Sequence, residues 1–147
     1  MKHTIGAVVL ATLVALGGCG GGGYSGPAVA IAPAPPVMSG LSTASINGGP
    51  AFVNSVMHTT YVFDADLNTP DMSNCVSAAC ASFWPAVAIV AGSPLAGNWT
   101  MFTRPDGTMQ LAYKGRALYA YYGDTSPGIA AGDGINAFGG VWHVARP

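Results

Sequence analysis

From Trp99 onward, apolar and polar residues alternate in short runs. Trp99–Thr103, Met109–Tyr113 and Arg116–Tyr121 are separated by Arg104-Pro-Asp-Gly107 and by Lys114-Gly115. A period of two places alternate side chains on opposite faces of a strand, and Pro-Asp-Gly and Lys-Gly supply turn residues. The pattern predicts a three-stranded antiparallel meander. Four more runs rich in β-branched and aromatic residues, Phe52–Val56, Thr60–Asp64, Val87–Val90 and Val141–Val144, predict further strands. Only Ser77–Phe83 predicts a helix, because Ala78, Ala79 and Ala81 favour one and Pro85 ends it. The expected fold is all-β: a small antiparallel sandwich or open barrel with one short helix near residues 77–83.

The N-terminal pattern is different. Lys2 and His3 precede an uncharged apolar run from Ile5 to Leu16, followed by Gly17, Gly18 and Cys19. That order is a secretory signal over residues 1–18, too short for the roughly 20 residues of a spanning helix. Leu16-Gly17-Gly18-Cys19 resembles a bacterial lipobox, which implies that Cys19 receives lipid and becomes the new N-terminus. Membrane association would then run through the N-terminal lipid, since several acyl chains on one residue anchor stably. In a Gram-negative envelope, Gly20 after the cysteine points to the outer membrane or cell surface; otherwise the address is the outer face of the cytoplasmic membrane. Residues 19–46 contain Gly20–Gly23 and Ala32-Pro33-Ala34-Pro35-Pro36 and read as a spacer, with the domain expected over 47–147.

Charge narrows the partners. Charged residues make up 7% of the 147-residue chain, against about 25% in ordinary soluble domains. Five Lys and Arg with a net charge of -1 cannot neutralise a phosphate backbone, so nucleic acid is not an expected partner. No cofactor-binding loop or hydrolase motif is present, and the chain is not expected to be an enzyme. An envelope protein or a small ligand remains as the partner of a binding or interaction module.

The chain compares with itself at an offset of 58 residues. Tyr61 falls on Tyr119, Phe63 on Tyr121, Asp66 on Asp124 and Trp84 on Trp142, which reads as a duplication over about 47–89 and 105–147. Tyr61-Val-Phe63-Asp-Ala-Asp66 and Tyr119-Ala-Tyr121-Tyr-Gly-Asp124 both fit Y-x-[FWY]-x-x-D. They resemble the bacterial lipoproteins described as a secreted repeat of unknown function. Cys75-x4-Cys80 before Trp84-Pro85, the Arg104-Pro-Asp-Gly turn, Ala112-Tyr-Lys-Gly115 and Gly140-Val-Trp-His-Val-Ala145 are similar to the same family. The resemblance implies architecture and export but no activity. One departure concerns the turn before the first Tyr, where Met57-His58-Thr59 replaces the glycine-containing sequence.

Each marked residue has two readings. Tyr61, Phe63, Tyr119 and Tyr121 are either packed aromatics or a stacking platform for a sugar or quinone. Asp66 and Asp124 end their strands, where Asp commonly binds backbone amides in a turn. Alternatively, Asp64, Asp66 and Asn68, with Asp71 nearby, offer calcium oxygen ligands, although Thr69 and Cys75 occupy positions where an EF-hand loop needs Gly and Glu. Met57, His58, Met109 and His143 have the ligand types of a copper site but no cluster. No metal site is assigned. Asp133 beside His143 would give a polarised imidazole, yet nothing in the sequence places the pair in a cleft.

With Cys19 acylated, Cys75 and Cys80 are the two remaining cysteines, and export makes a disulfide between them the expectation. A continuous helix would separate them by five steps of about 1.5 Å, beyond the roughly 7 Å limit for a bridge. Any helix must therefore begin after Cys75.

Overall fold

The structure is a computed structural model that describes residues 40–147. The signal segment 1–18, the lipidation candidate Cys19 and the spacer as far as residue 39 lie outside the described residues.

Two-residue turns with both residues at positive φ set three hairpins, because that twist matches the right-handed twist of the strands. Asn47 and Gly48 (φ 49° and 77°) join β1 (Ser42–Ile46) to β2 (Gly49–Val53). Lys114 and Gly115 (φ 51° and 74°) join β5 (Met109–Tyr113) to β6 (Arg116–Ala117), and Phe138 and Gly139 join β7 (Asn136–Ala137) to β8 (Gly140–Val144). The β5 strand also pairs with β4 (Trp99–Thr103), giving the meander order β4-β5-β6, with the third strand ending at Ala117 and not at Tyr121 because Tyr119 pairs with Tyr61 instead. A third sheet pairs β3 (Tyr61–Phe63) with β8 and β8 with β7, all antiparallel. The class is all-β, a small sandwich of antiparallel sheets rather than a closed barrel.

Some boundaries differ from the pattern, each for a local reason. The spacer was expected to reach residue 46, but Ser42–Ile46 is strand β1, paired with β2 along its whole length. The alternation Ser-Thr-Ala-Ser-Ile is too polar to signal a strand, yet it buries Ile46. The run Phe52–Val56 stops as a strand at Val53, because Asn54 Oδ1 accepts hydrogen bonds from the amides of Val56 (3.1 Å) and His58 (3.0 Å) and turns the chain. In that turn Met57 takes a positive φ of 63° without being glycine. Val87–Val90 is not a regular strand. It bonds to two different segments, Val87 N to Leu118 O (2.9 Å) and Ile89 N to Met109 O (3.0 Å).

The helix α1 (Ala78–Phe83) begins after Cys75, with Ser77 Oγ accepting from the Cys80 amide at 3.1 Å as its N-cap. Cys75 and Cys80 form a disulfide with Cα atoms 5.4 Å apart, and both residues are buried. Among the described residues, no helix is long and apolar enough to cross a membrane.

Candidate functional site

The two repeats meet backbone to backbone at their tyrosines. Tyr61 N donates to Tyr119 O at 2.8 Å and Tyr119 N donates to Tyr61 O at 3.0 Å. On the outer sides, Val144 pairs with Tyr61 and Ala86 pairs with Tyr119, and these two partners also differ by 58 positions. An approximate twofold axis therefore passes between Tyr61 and Tyr119.

The side chains cross that axis. Tyr61 Oη donates to Asp124 Oδ2 and Tyr119 Oη donates to Asp66 Oδ2, both at 2.6 Å, so each motif tyrosine is held by the aspartate of the other repeat. The second oxygen of each carboxylate accepts a backbone amide, from Ala131 at 2.9 Å for Asp124 and from Asn74 at 2.7 Å for Asp66. Both phenols have their pKa raised above the ordinary value near 10. Burial is the main cause in each, and the adjoining carboxylate adds to it. The pairs are short charge-assisted hydrogen bonds with the proton on the phenol.

The rings cross in the same way. Phe63 stacks on Trp142 (4.1 Å between centroids) and Trp142 on Trp84 (3.9 Å), and Tyr121 lies against Trp84 at 4.5 Å with its plane tilted by 32°. The result is a four-ring column whose members alternate between repeats. Tyr61 and Tyr119 meet the edges of Trp84 and Trp142 at 5.4 and 5.0 Å. Gly132 closes the column on one side: a Cβ there would lie 2.8 Å from the Trp84 ring and 3.0 Å from the Tyr61 ring.

Ser73 and Gln110 carry no signal in the sequence, and Arg104 and Gly132 stand in family-like turns whose part in this site the pattern does not state. Arg104 is buried, donating to Ser73 Oγ (2.8 Å), Gln110 Oε1 (2.7 Å) and Cys75 O (2.6 Å). Ser73 in turn lies 2.8 Å from Tyr119 Oη, which links the arginine to the Tyr119–Asp66 pair. The turn motif around Arg104 was visible in the sequence; its burial was not, because Arg at a turn is ordinarily solvated.

Tyr61, Phe63, Trp84, Tyr119 and Trp142 have at most 1% of their surface exposed, so no ligand can stack on them without unfolding the core. The calcium candidates point to separate partners: Asp66 to Tyr119, Asp64 to His143 and Arg116, and Asp71 to the Thr100 hydroxyl. His143 lies 3.1 Å from Asp64, whereas Asp133 accepts from the Val144 amide. His58 sits in the Asn54 turn and the Met109 sulfur accepts from Thr103. Among the described residues, no three of His, Cys, Asp and Glu converge as a metal site.

This geometry defines a class, a duplicated all-β module whose repeats exchange their motif side chains across a common axis. Residues 100–146 match the family model described as a secreted repeat of unknown function. The matched segment starts in β4 and ends just past β8, and the 58-residue offset carries it onto 42–88, which starts at β1. On the second copy the match begins five residues before the boundary near 105. Comparison with curated proteins and with solved structures returns no significant match.

Proposed function

We propose that the chain is an exported cell-envelope lipoprotein, tethered through Cys19, that works as a binding or interaction module and not as an enzyme. One observation carries this reading: the side chains that mark both repeats are used on each other. Tyr61, Tyr119, Asp66 and Asp124 are buried in reciprocal pairs, and the two tryptophans fill the column between them. Such groups hold a scaffold together and present no nucleophile or general base to solvent. What remains for function is the surface, where Val56, Val90, Tyr122 and Phe138 are exposed. The description of the matched family as secreted supports the export part of the reading.

Site-specific photo-cross-linking in intact cell envelopes tests the proposal. A cross-linker at exposed positions such as Val90 or Tyr122 is expected to give adducts of discrete mass, reproducibly from one face. An absence of adducts from every exposed position would overturn the reading.

A further inference from the structure

Beside β8 and the β5–β6 turn lies a groove of about 290 Å³. Its floor is apolar, made by Phe52, Val62, Leu118 and Ala145. Its rim is cationic: Lys114, Arg116 and Arg146, with His143 alongside. Of the five Lys and Arg in the whole chain, Lys2 lies in the signal segment and Arg104 is buried among hydrogen-bond acceptors; the other three all line this one groove. Asp64 offsets part of the charge at Arg116 (3.6 Å) and His143 (3.1 Å). Neither Lys114 nor Arg146 forms an ion pair among the described residues. The Arg116 Nε is buried without any acceptor, so its guanidinium is not saturated by the protein.

The duplication supplies an internal control. A second groove is lined by Ala86, Val87 and Ala88, which stand 58 positions before Val144, Ala145 and Arg146, and by Ala120, which stands 58 positions after Val62. Leu41, Asn54 and Ser55 complete that groove, and no charged side chain lines it. The repeat fold thus makes a groove twice and needs no charge to do so. The cations of the first copy are additions to the scaffold.

We propose that the basic groove binds a small single-tailed organic anion, with a carboxylate between Lys114 and Arg146 and an apolar body on Phe52, Val62 and Leu118. The volume of about 290 Å³ falls just below the roughly 300 to 1,000 Å³ of drug-sized ligand pockets, which suits a compact acid and not a two-chain phospholipid. This inference rests on the reading of the chain as a binding module and names the ligand class of one surface.

Calorimetry of the full chain in phosphatidylcholine nanodiscs, with empty nanodiscs as blank, tests it. The probes are 3-phenylpropanoate, the amine 3-phenylpropylamine and inorganic phosphate. Saturable binding is expected for 3-phenylpropanoate alone. Lys114→Asn removes the charge with a residue that tolerates the left-handed backbone there, and should weaken binding about fivefold without lowering the melting temperature. Arg146→Gln is the second variant, expected to act in the same direction. Equal binding of acid and amine, binding of phosphate as tight as that of the acid, or affinity unchanged in both variants would overturn the proposal. So would loss of the acid signal when phosphatidylglycerol replaces part of the lipid, since headgroups would then be the occupant. Absence of acid binding while envelope cross-links persist refutes the groove assignment alone; absence of the cross-links refutes the module reading itself.

Discussion

The indole rings of Trp84 and Trp142, 58 positions apart in the chain, lie 3.9 Å apart and 3° from parallel at the centre of the domain. Each is the other's largest neighbour across the axis relating the repeats, and each also touches an aromatic motif residue of the other repeat. Truncating either removes a fully buried ring from a column that cannot close around the gap. Trp84→Ala and Trp142→Ala should each cost about 3 to 5 kcal/mol. Chemical denaturation measures this, and an unchanged midpoint in either variant would contradict the shared core.

The crossed pairs make a sharper prediction about folding units. A fragment spanning residues 98–147 keeps Tyr119 and Trp142 but lacks Asp66 and Trp84. It loses an acceptor for a buried phenol and the stacking partner of a buried indole, and should not fold alone despite containing the whole family match at 100–146. Amide proton dispersion in a heteronuclear NMR spectrum reads this directly. Adding the complementary fragment 40–97 should restore it.

Single hydroxyl deletions isolate the polar part of the exchange. Tyr61→Phe leaves Asp124 with the Ala131 amide but without its phenol, and Tyr119→Phe does the same to Asp66. Hydrogen bonds to charged groups contribute about 1.5 to 3 kcal/mol, so each variant should lose stability in that range while the ring packing stays. A loss of under about 0.5 kcal/mol would mean that water replaces the phenol and that the carboxylates are not as enclosed as the structure has them.

Much of this was legible in the chain, and the missing parts share a cause. The meander, the short helix beginning after Cys75 and the Tyr-Asp-Trp register follow from local pattern, where turn residues and period-two alternation act over a few positions. Strand β1 and the β7–β8 hairpin were less visible. Ser42–Ile46 is polar in three of its five positions, and the β7 strand is only Asn136–Ala137. Their stability comes from pairing with distant or later segments, which local propensity does not encode. The motif aspartates were read as turn formers, and Asp66 and Asp124 do accept amides of the following loop. Their exchange of tyrosines between repeats needs the approximate symmetry, and no spacing states that.

Alkaline pH provides the last prediction, because burial raises the pKa of Tyr61 and Tyr119 and their carboxylate partners raise it further. A group whose folded pKa exceeds its unfolded value stabilises the fold fully below the unfolded value and loses that contribution as pH climbs through the folded one. For these tyrosines the unfolded value is near 10, so stability should be level up to about pH 9 and fall steeply above pH 10. The chain has six tyrosines. Tyr61 and Tyr119 should remain phenols past pH 10, then titrate together with loss of the near-ultraviolet tryptophan signal. In Tyr61→Phe the steep alkaline fall should become shallower, since one of the two linked ionisations is gone. Tyrosinate absorbance and circular dichroism recorded on the same samples separate the two events. If Tyr61 and Tyr119 titrate near the ordinary tyrosine value of about 10 while the fold persists, they are not held by Asp124 and Asp66 in solution.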